Sequence, residues 1–268
     1  MSNTFSKTND RRLRRFFSLG SHFSEGTEII LSPSETKHLK DVIRLSAGDE
    51  CLVMNGQGHC ARAKVFGFSN AGEARLMIQG LENSGSQKQK LYSRFFVSIP
   101  QKAKMEYLIE KCQELDVDEI VPMETSRTIV RLSASTRDKV ITRWNKIALE
   151  ASKQSGAPKL IRISWPCKLK DVFLPDYRSD KSFLFHPDGS TIPFPACVEA
   201  IKISLNKSEN NAKIAVMNVF FGPEGGFSDE EAAMFSEKKI PVVSLGDNLL
   251  KVDTAVLGVA AAIKFSLL

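Results

Sequence analysis

Two glycine-containing loops hold the residues best suited to chemistry. The first runs Phe220-Phe221-Gly222-Pro223-Glu224-Gly225-Gly226-Phe227-Ser228-Asp229-Glu230-Glu231. It follows an apolar run and opens a helical one, and Ser228 with Glu231 has the spacing of a capping box, which marks the helix start. Glycines there admit positive φ and let backbone approach a ligand closely. Ligands of open α/β sheets collect at the carboxyl ends of the strands. The competing reading is an ordinary tight turn. Gly222, Gly225 and Gly226 do not spell G-x-G-x-x-G and no Walker lysine follows, so a dinucleotide or P-loop site is a poor fit. Glu224 would repel a phosphate. A ligand with a positive centre, such as a sulfonium, suits the loop better.

The second loop is Ser244-Leu245-Gly246-Asp247-Asn248-Leu249-Leu250-Lys251-Val252-Asp253-Thr254-Ala255. It too joins a strand to a helix, with Asp253 or Thr254 as the expected cap. Lys251 and Asp253 stand where a substrate could be reached; taken singly, each charge also reads as a solvated loop residue.

Strands and helices must hold these loops in place. Beyond residue 90 they alternate. Strands are expected at Leu91–Ile99, Ile120–Met123, Ser182–Phe185, Ile214–Phe221 and Val242–Leu245. Helices are expected at Lys104–Leu115, Arg137–Ser155, Ser228–Glu237 and Asp253–Leu267. That alternation implies a parallel sheet with helices on its faces, while the strand order stays open. Before residue 83 the runs are short and β-like: Glu28–Leu31, Glu50–Met54 running into the Asn55-Gly56 turn, Ala61–Phe68 and Glu73–Gln79. One helix, Ser34–Arg44 with Ser34 as N-cap, interrupts them. Short strands with glycine turns suggest a small barrel. Residues 83–90 lack any apolar side chain and read as a linker. The expected division is therefore 1–82, a linker at 83–90, and 91–268.

The chain has 268 residues and a net charge of +6. Residues 1–90 hold 13 Lys/Arg against 9 Asp/Glu, with four arginines at Arg11, Arg12, Arg14 and Arg15. This suits a polyanionic partner. The five cysteines are odd in number and none has C-x-x-C spacing, which argues against a disulfide framework or a zinc site and for a reducing cytoplasm. Met1–Asp10 is polar, so no secretory signal is expected, and no apolar run is long enough to span a membrane.

The residues resemble a known family. Gly222-Pro223-Glu224-Gly225-Gly226-Phe227-Ser228 and Leu245-Gly246-x-x-Leu249-Leu250-Lys251-x-Asp253-Thr254-Ala255 are similar to the C-terminal signature of SPOUT methyltransferases. The nearest branch is the RsmE type, which methylates N3 of a uridine in 16S ribosomal RNA. Arg15-Phe16-Phe17, His38-Leu39-x-x-Val42-Ile43-Arg44, Lys104-Met105-Glu106, Trp144-x-Lys146-Ile147-Ala148, Gln154-Ser155-Gly156 and Phe185-His186-Pro187 extend the resemblance over nearly the whole chain.

The resemblance implies an α/β protein: an N-terminal PUA-like β-barrel for RNA and a C-terminal SPOUT domain with a parallel sheet and deep trefoil knot. It implies a homodimer that binds S-adenosylmethionine and acts on 16S rRNA in the 30S subunit. The cofactor would lie against Phe185, His186, Phe221, Gly222, Pro223, Glu224, Gly225, Gly226, Leu245, Gly246, Asn248, Leu249, Leu250, Thr254 and Ala255. The family usually carries arginine where Asn248 and Lys251 stand, glutamate at Asp253 and Lys153, and arginine at Ala157.

Uridine N3 is protonated at neutral pH, so methylation needs that proton removed or the developing anion stabilised. Lys251 is the expected stabiliser, with Asp253 orienting it or acting as base. Arg127 is expected to bind a phosphate or a base carbonyl. RNA affinity is expected from Arg11, Arg12, Arg14, Arg15, Arg44, Lys102 and Lys104. The alternatives are a SPOUT enzyme with another RNA target and an RNA-binding or assembly protein with weakened catalysis.

Overall fold

The structure is a computed structural model that describes residues 13–82, 91–101, 103–187, 192–210 and 214–266. Arg11, Arg12, Lys102 and the linker at 83–90 lie outside the described residues. The chain forms two compact units, Met1–Ser86 with Ser152–Leu160, and Gln87–Ala151 with Ile161–Leu268.

The first unit is a curled five-stranded sheet in the order β1-β3-β4-β5-β2. Its strands are β1 (Arg15–Phe17), β2 (Glu28–Ile30), β3 (Glu50–Met54), β4 (Cys60–Phe68) and β5 (Ala74–Glu82). The pairs are antiparallel except β1 with β3. Alternation along β4 turns Ala61, Ala63 and Val65 inward, where they meet Phe16, Leu39, Val53 and Leu76. Register shifts at Arg62/Ala63 and Val65/Gly67 bend the long β4–β5 pair.

Two local expectations need correction here. Helix α1 (Pro33–Lys37) is capped by Ser32, not Ser34. Pro33 has no N–H to satisfy and its fixed φ suits the first helical position, so the start moves forward. The expected helix to Arg44 also changes pitch: His38–Ile43 is a π-helix that ends at Arg44 with φ 62°.

The second unit has an eight-stranded sheet with the path β11-β13-β10-β12-β6-β7-β8, while β9 pairs with β7. Its strands are β6 (Leu91–Ser98), β7 (Glu119–Glu124), β8 (Arg162–Ile163), β9 (Cys167–Lys168), β10 (Lys181–Phe185), β11 (Ile192–Pro193), β12 (Ala215–Phe221) and β13 (Val242–Ser244). Every pairing is parallel, as the alternation of elements implied. The helices are α2 (Lys104–Glu114), α3 (Ala134–Ser155), α4 (Phe194–Asn210), α5 (Asp229–Glu237) and α6 (Val252–Ser266).

Parallel strands buried on both faces carry near-continuous apolar runs, and β6 and β12 do. One face presents Phe95, Val97, Val219 and Phe221 to Leu108, Ile109, Trp144, Val256 and Val259. The other presents Phe96, Val121, Leu184 and Phe220 to Leu169, Val172, Phe227 and Phe235. Phe96 and Phe220 stack with centroids 4.6 Å apart. Helix α6 begins at Val252, so Asp253 and Thr254 lie in its first turn and do not cap it. The Ala255 N–H bonds back to the Lys251 carbonyl at 2.9 Å.

Candidate functional site

Strands β10, β12 and β13 end side by side, with Phe185 opposite both Phe221 and Val243. Beyond those ends lies a cavity of about 640 Å³, within the range of about 300–1,000 Å³ common for small-molecule sites. Both glycine loops wall it. Its lining takes in Phe185, His186, Phe221, Gly222, Pro223, Glu224, Gly225, Gly226, Leu245, Gly246, Asn248, Leu249, Leu250, Lys251, Ala255 and Arg127. Residues up to 128 positions apart in chain number thus meet around one space because parallel strands deliver their following loops to the same sheet end.

The first loop owes its shape to its glycines. The Gly226 N–H donates to the Pro223 carbonyl at 2.8 Å, closing a turn in which Gly226 has φ 69°. A Cβ on Gly226 would stand 3.3 Å from His186 Nε2, and one on Gly222 only 2.7 Å from Phe227 Cε2. The capping box forms as its spacing implied: the Glu231 N–H donates to Ser228 Oγ at 3.3 Å and the Ser228 N–H to Glu231 Oε2 at 3.0 Å. In the second loop Gly246 has φ 114°, and its N–H donates to Ser244 Oγ at 3.2 Å. Lys251 is exposed at the cavity wall.

Charges around the cavity are partly paired. Arg127 Nη1 donates to the Gly225 carbonyl at 2.8 Å. Lys104 Nζ lies 3.4 Å from Glu224 Oε1. Asp253 does not line the cavity, and its Oδ1 is buried with no hydrogen-bond partner among the described residues. Thr254 is exposed and also off the cavity lining.

The residues proposed to bind RNA are distributed otherwise. In the first unit Arg14 and Arg44 are exposed, and Arg15 packs its guanidinium against Gly156. In the second unit Lys104 is spent on Glu224. Lys153 lies in the first unit, paired with Glu35 at 2.6 Å. Sequence reasoning gave no role to Phe227, Val243, Ser244 and Val252 as lining, nor to the Ser126–Glu231 contact. The strand-end positions of Val243 and Ser244 carried a usable signal; the Ser126 contact did not.

Far along the same sheet, at the start of β7, Glu119 is enclosed. Burial pushes its pKa up, but hydrogen bonds from Arg94, Ser164 and Tyr92 outweigh that and hold it below the usual carboxylate value. Burial pushes the thiols of Cys51, Cys112, Cys167 and Cys197 up to about 12, so they are inert at neutral pH. Among the described residues no group of three or more His, Cys, Asp and Glu could hold a metal ion, and no helix is long and apolar enough to cross a membrane.

A parallel α/β sheet with a glycine-walled cavity at its carboxyl end is a scaffold that binds small ligands. The chain belongs to the RNA methyltransferase domain family, whose profile matches residues 87–264. Its relatives are of the RsmE type. It is 25% identical over 241 residues to ribosomal RNA small subunit methyltransferase E of Bacillus subtilis, covering 90% of this chain and 91% of that one. The Synechocystis protein of the same name is 27% identical over 233 residues, covering 85% and 69%. Two solved structures share the fold. A Legionella pneumophila methyltransferase in complex with S-adenosylmethionine matches with TM-score 0.78 and 23% identity over 95% of this chain and 98% of that one. The Neisseria gonorrhoeae ribosomal RNA small subunit methyltransferase E, bound to S-adenosylmethionine, gives 0.74 and 20% over 94% and 97%.

Proposed function

We propose that this protein transfers a methyl group from S-adenosylmethionine to N3 of a uridine in 16S rRNA, in the cytoplasm and on the 30S subunit. The observation that carries the reading is the cavity itself, with two glycine loops for walls and Lys251 and Arg127 on its lining. Glycines at Gly222, Gly225 and Gly226 leave backbone bare for a ligand, while Phe185, Phe221, Leu245 and Leu250 offer apolar contact. Glu224 places a carboxylate near a positive ligand centre. Relatives named for this rRNA activity and neighbours solved with the same methyl donor support the assignment.

When bound, S-adenosylmethionine supplies a methyl group on a positively charged sulfur, which becomes a neutral thioether once the methyl carbon has bonded to N3. The chain supplies the rest. The Lys251 ammonium stabilises the anion that develops as the N3 proton departs. Asp253 orients Lys251 or takes that proton. Its Oδ1 has no hydrogen-bond partner among the described residues, and an unmet buried acceptor costs about 1–3 kcal/mol, which a donor from Lys251, two positions earlier, would relieve. Arg127 binds a phosphate or the base carbonyl.

The first unit is proposed to be a PUA-like RNA-binding barrel over 1–82, followed by the linker 83–90 and a knotted SPOUT domain over 91–268. The crossed strand order, with β10 between β13 and β12, supports a knot. Leu249, 81% exposed beside the cavity, supports a homodimer in which a second copy covers it. Replacing Lys251 with Met and measuring methyl transfer to 30S particles tests the mechanism. A loss of roughly 100-fold in kcat is expected for a group acting on the developing charge; unchanged turnover removes Lys251 from it.

A further inference from the structure

Glu231 does more than cap a helix. The residue is 8% exposed, and its carboxylate collects donors from its own helix start and from Ser126, 105 positions earlier. Oε1 accepts from the Ser126 N–H at 2.7 Å, and Oε2 accepts from Ser126 Oγ at 3.0 Å and from the Ser228 N–H at 3.0 Å. A capping box requires only the last of these. The two Ser126 contacts bind the β7–α3 loop to the helix start that follows the glycine loop.

Ser126 directly precedes Arg127, and Arg127 reaches across that junction to the Gly225 carbonyl. The loop is fixed from its other side as well. The Thr125 N–H donates to Thr128 Oγ1 at 2.9 Å, and Arg131 Nη2 donates to the carbonyls of Thr125 and Ser126 at 3.3 and 3.4 Å. The N–H, the Oγ and the carbonyl of Ser126 are all hydrogen-bonded, and Glu231 takes the first two.

We infer that Glu231 is a positioning residue for methyl transfer: it clamps Ser126 so that the Arg127 guanidinium is presented at the cavity wall before RNA arrives. The inference rests on the function proposed above. A preset guanidinium loses no orientation freedom when the target base arrives, so the effect belongs to turnover. Binding of the methyl donor, which faces the glycine backbone, should be nearly indifferent to it.

The test compares Glu231→Ala with Ser228→Ala, measuring S-adenosylmethionine affinity by calorimetry and kcat for methyl transfer to 30S particles. Glu231→Ala removes the clamp and half the cap; Ser228→Ala removes only the other half of the cap. The expected result is a 10- to 100-fold fall in kcat for Glu231→Ala, roughly the scale of a displaced catalytic group. Its donor affinity, and the kcat of Ser228→Ala, should stay within about threefold of native, and Glu231→Gln, which keeps one acceptor oxygen, should recover part of the rate. Equal losses in Glu231→Ala and Ser228→Ala, or a native rate in Glu231→Ala, overturn the inference alone. If Glu231→Ala does not fold, Glu231→Gln carries the test, since its amide leaves only one oxygen for the two Ser126 donors: lowered kcat at native donor affinity supports the clamp and a native kcat overturns it. A native protein that binds no S-adenosylmethionine overturns the functional reading and this inference together.

Discussion

Lys153 Nζ lies 2.6 Å from Glu35 Oε1, with both side chains nearly enclosed, and the other oxygen of Glu35 accepts the Phe17 N–H at 2.9 Å. The family resemblance puts glutamate at the Lys153 position. In the structure Lys153 is one half of an ion pair inside the first unit, and it is absent from the cavity lining. Lys153→Met should destabilise the protein by about 3–5 kcal/mol, because it strands a buried carboxylate. The double variant Lys153→Met/Glu35→Gln should regain most of that, since a neutral amide still accepts from Phe17. Urea unfolding of the three proteins checks both statements.

Gly226 holds φ 69° beside His186. Gly226→Ala should therefore weaken S-adenosylmethionine binding about tenfold or more, from backbone strain of about 1 kcal/mol or above plus a side chain pointed at His186. Calorimetry reads this directly. An alanine variant that binds as tightly as native would show that the glycine loop does not touch the donor.

The capping box, the glycine loops and the helices α2, α3, α5 and α6 were legible in the sequence because their signals are local: spacing, caps and periodicity within a dozen residues. The sheet's parallel character followed from the alternation of elements. The position of β10 between β12 and β13 did not, since hydrophobic runs carry no pairing information. Glu35 with Lys153, Lys104 with Glu224 and Ser126 with Glu231 meet only after more than a hundred residues of chain have packed. Arg15 and Lys104 looked like free cations because a sequence shows a charge but not its neighbour.

Acid should unfold the protein through Glu119. Its folded pKa lies below the ordinary 4.5, so the stability it contributes is present above that value and is lost as pH falls through the depressed one. Glu119→Gln should flatten the fall in thermal midpoint below pH 4.5 while lowering the midpoint at neutral pH. A midpoint that falls as steeply in the variant as in the native protein assigns the acid sensitivity to other groups.

RNA affinity should be steeply salt-dependent if phosphates supply it. Arg14 and Arg44 are exposed and available. Arg14→Ala and Arg44→Ala should each weaken binding at low salt and reduce the slope of log affinity against log salt by about 1. Filter binding across a salt series measures this, and slopes identical to native would remove both residues from the RNA interface.

The central claim is methyl transfer to uridine N3 of 16S rRNA. Incubating the native protein with labelled S-adenosylmethionine and 30S particles lacking this modification, then mapping the methylated base by mass, tests it most directly. The account predicts one 3-methyluridine in 16S rRNA, formed by the native protein and lost in Lys251→Met. Methylation at another atom or another RNA, or donor binding with no transfer to 30S particles, would contradict it.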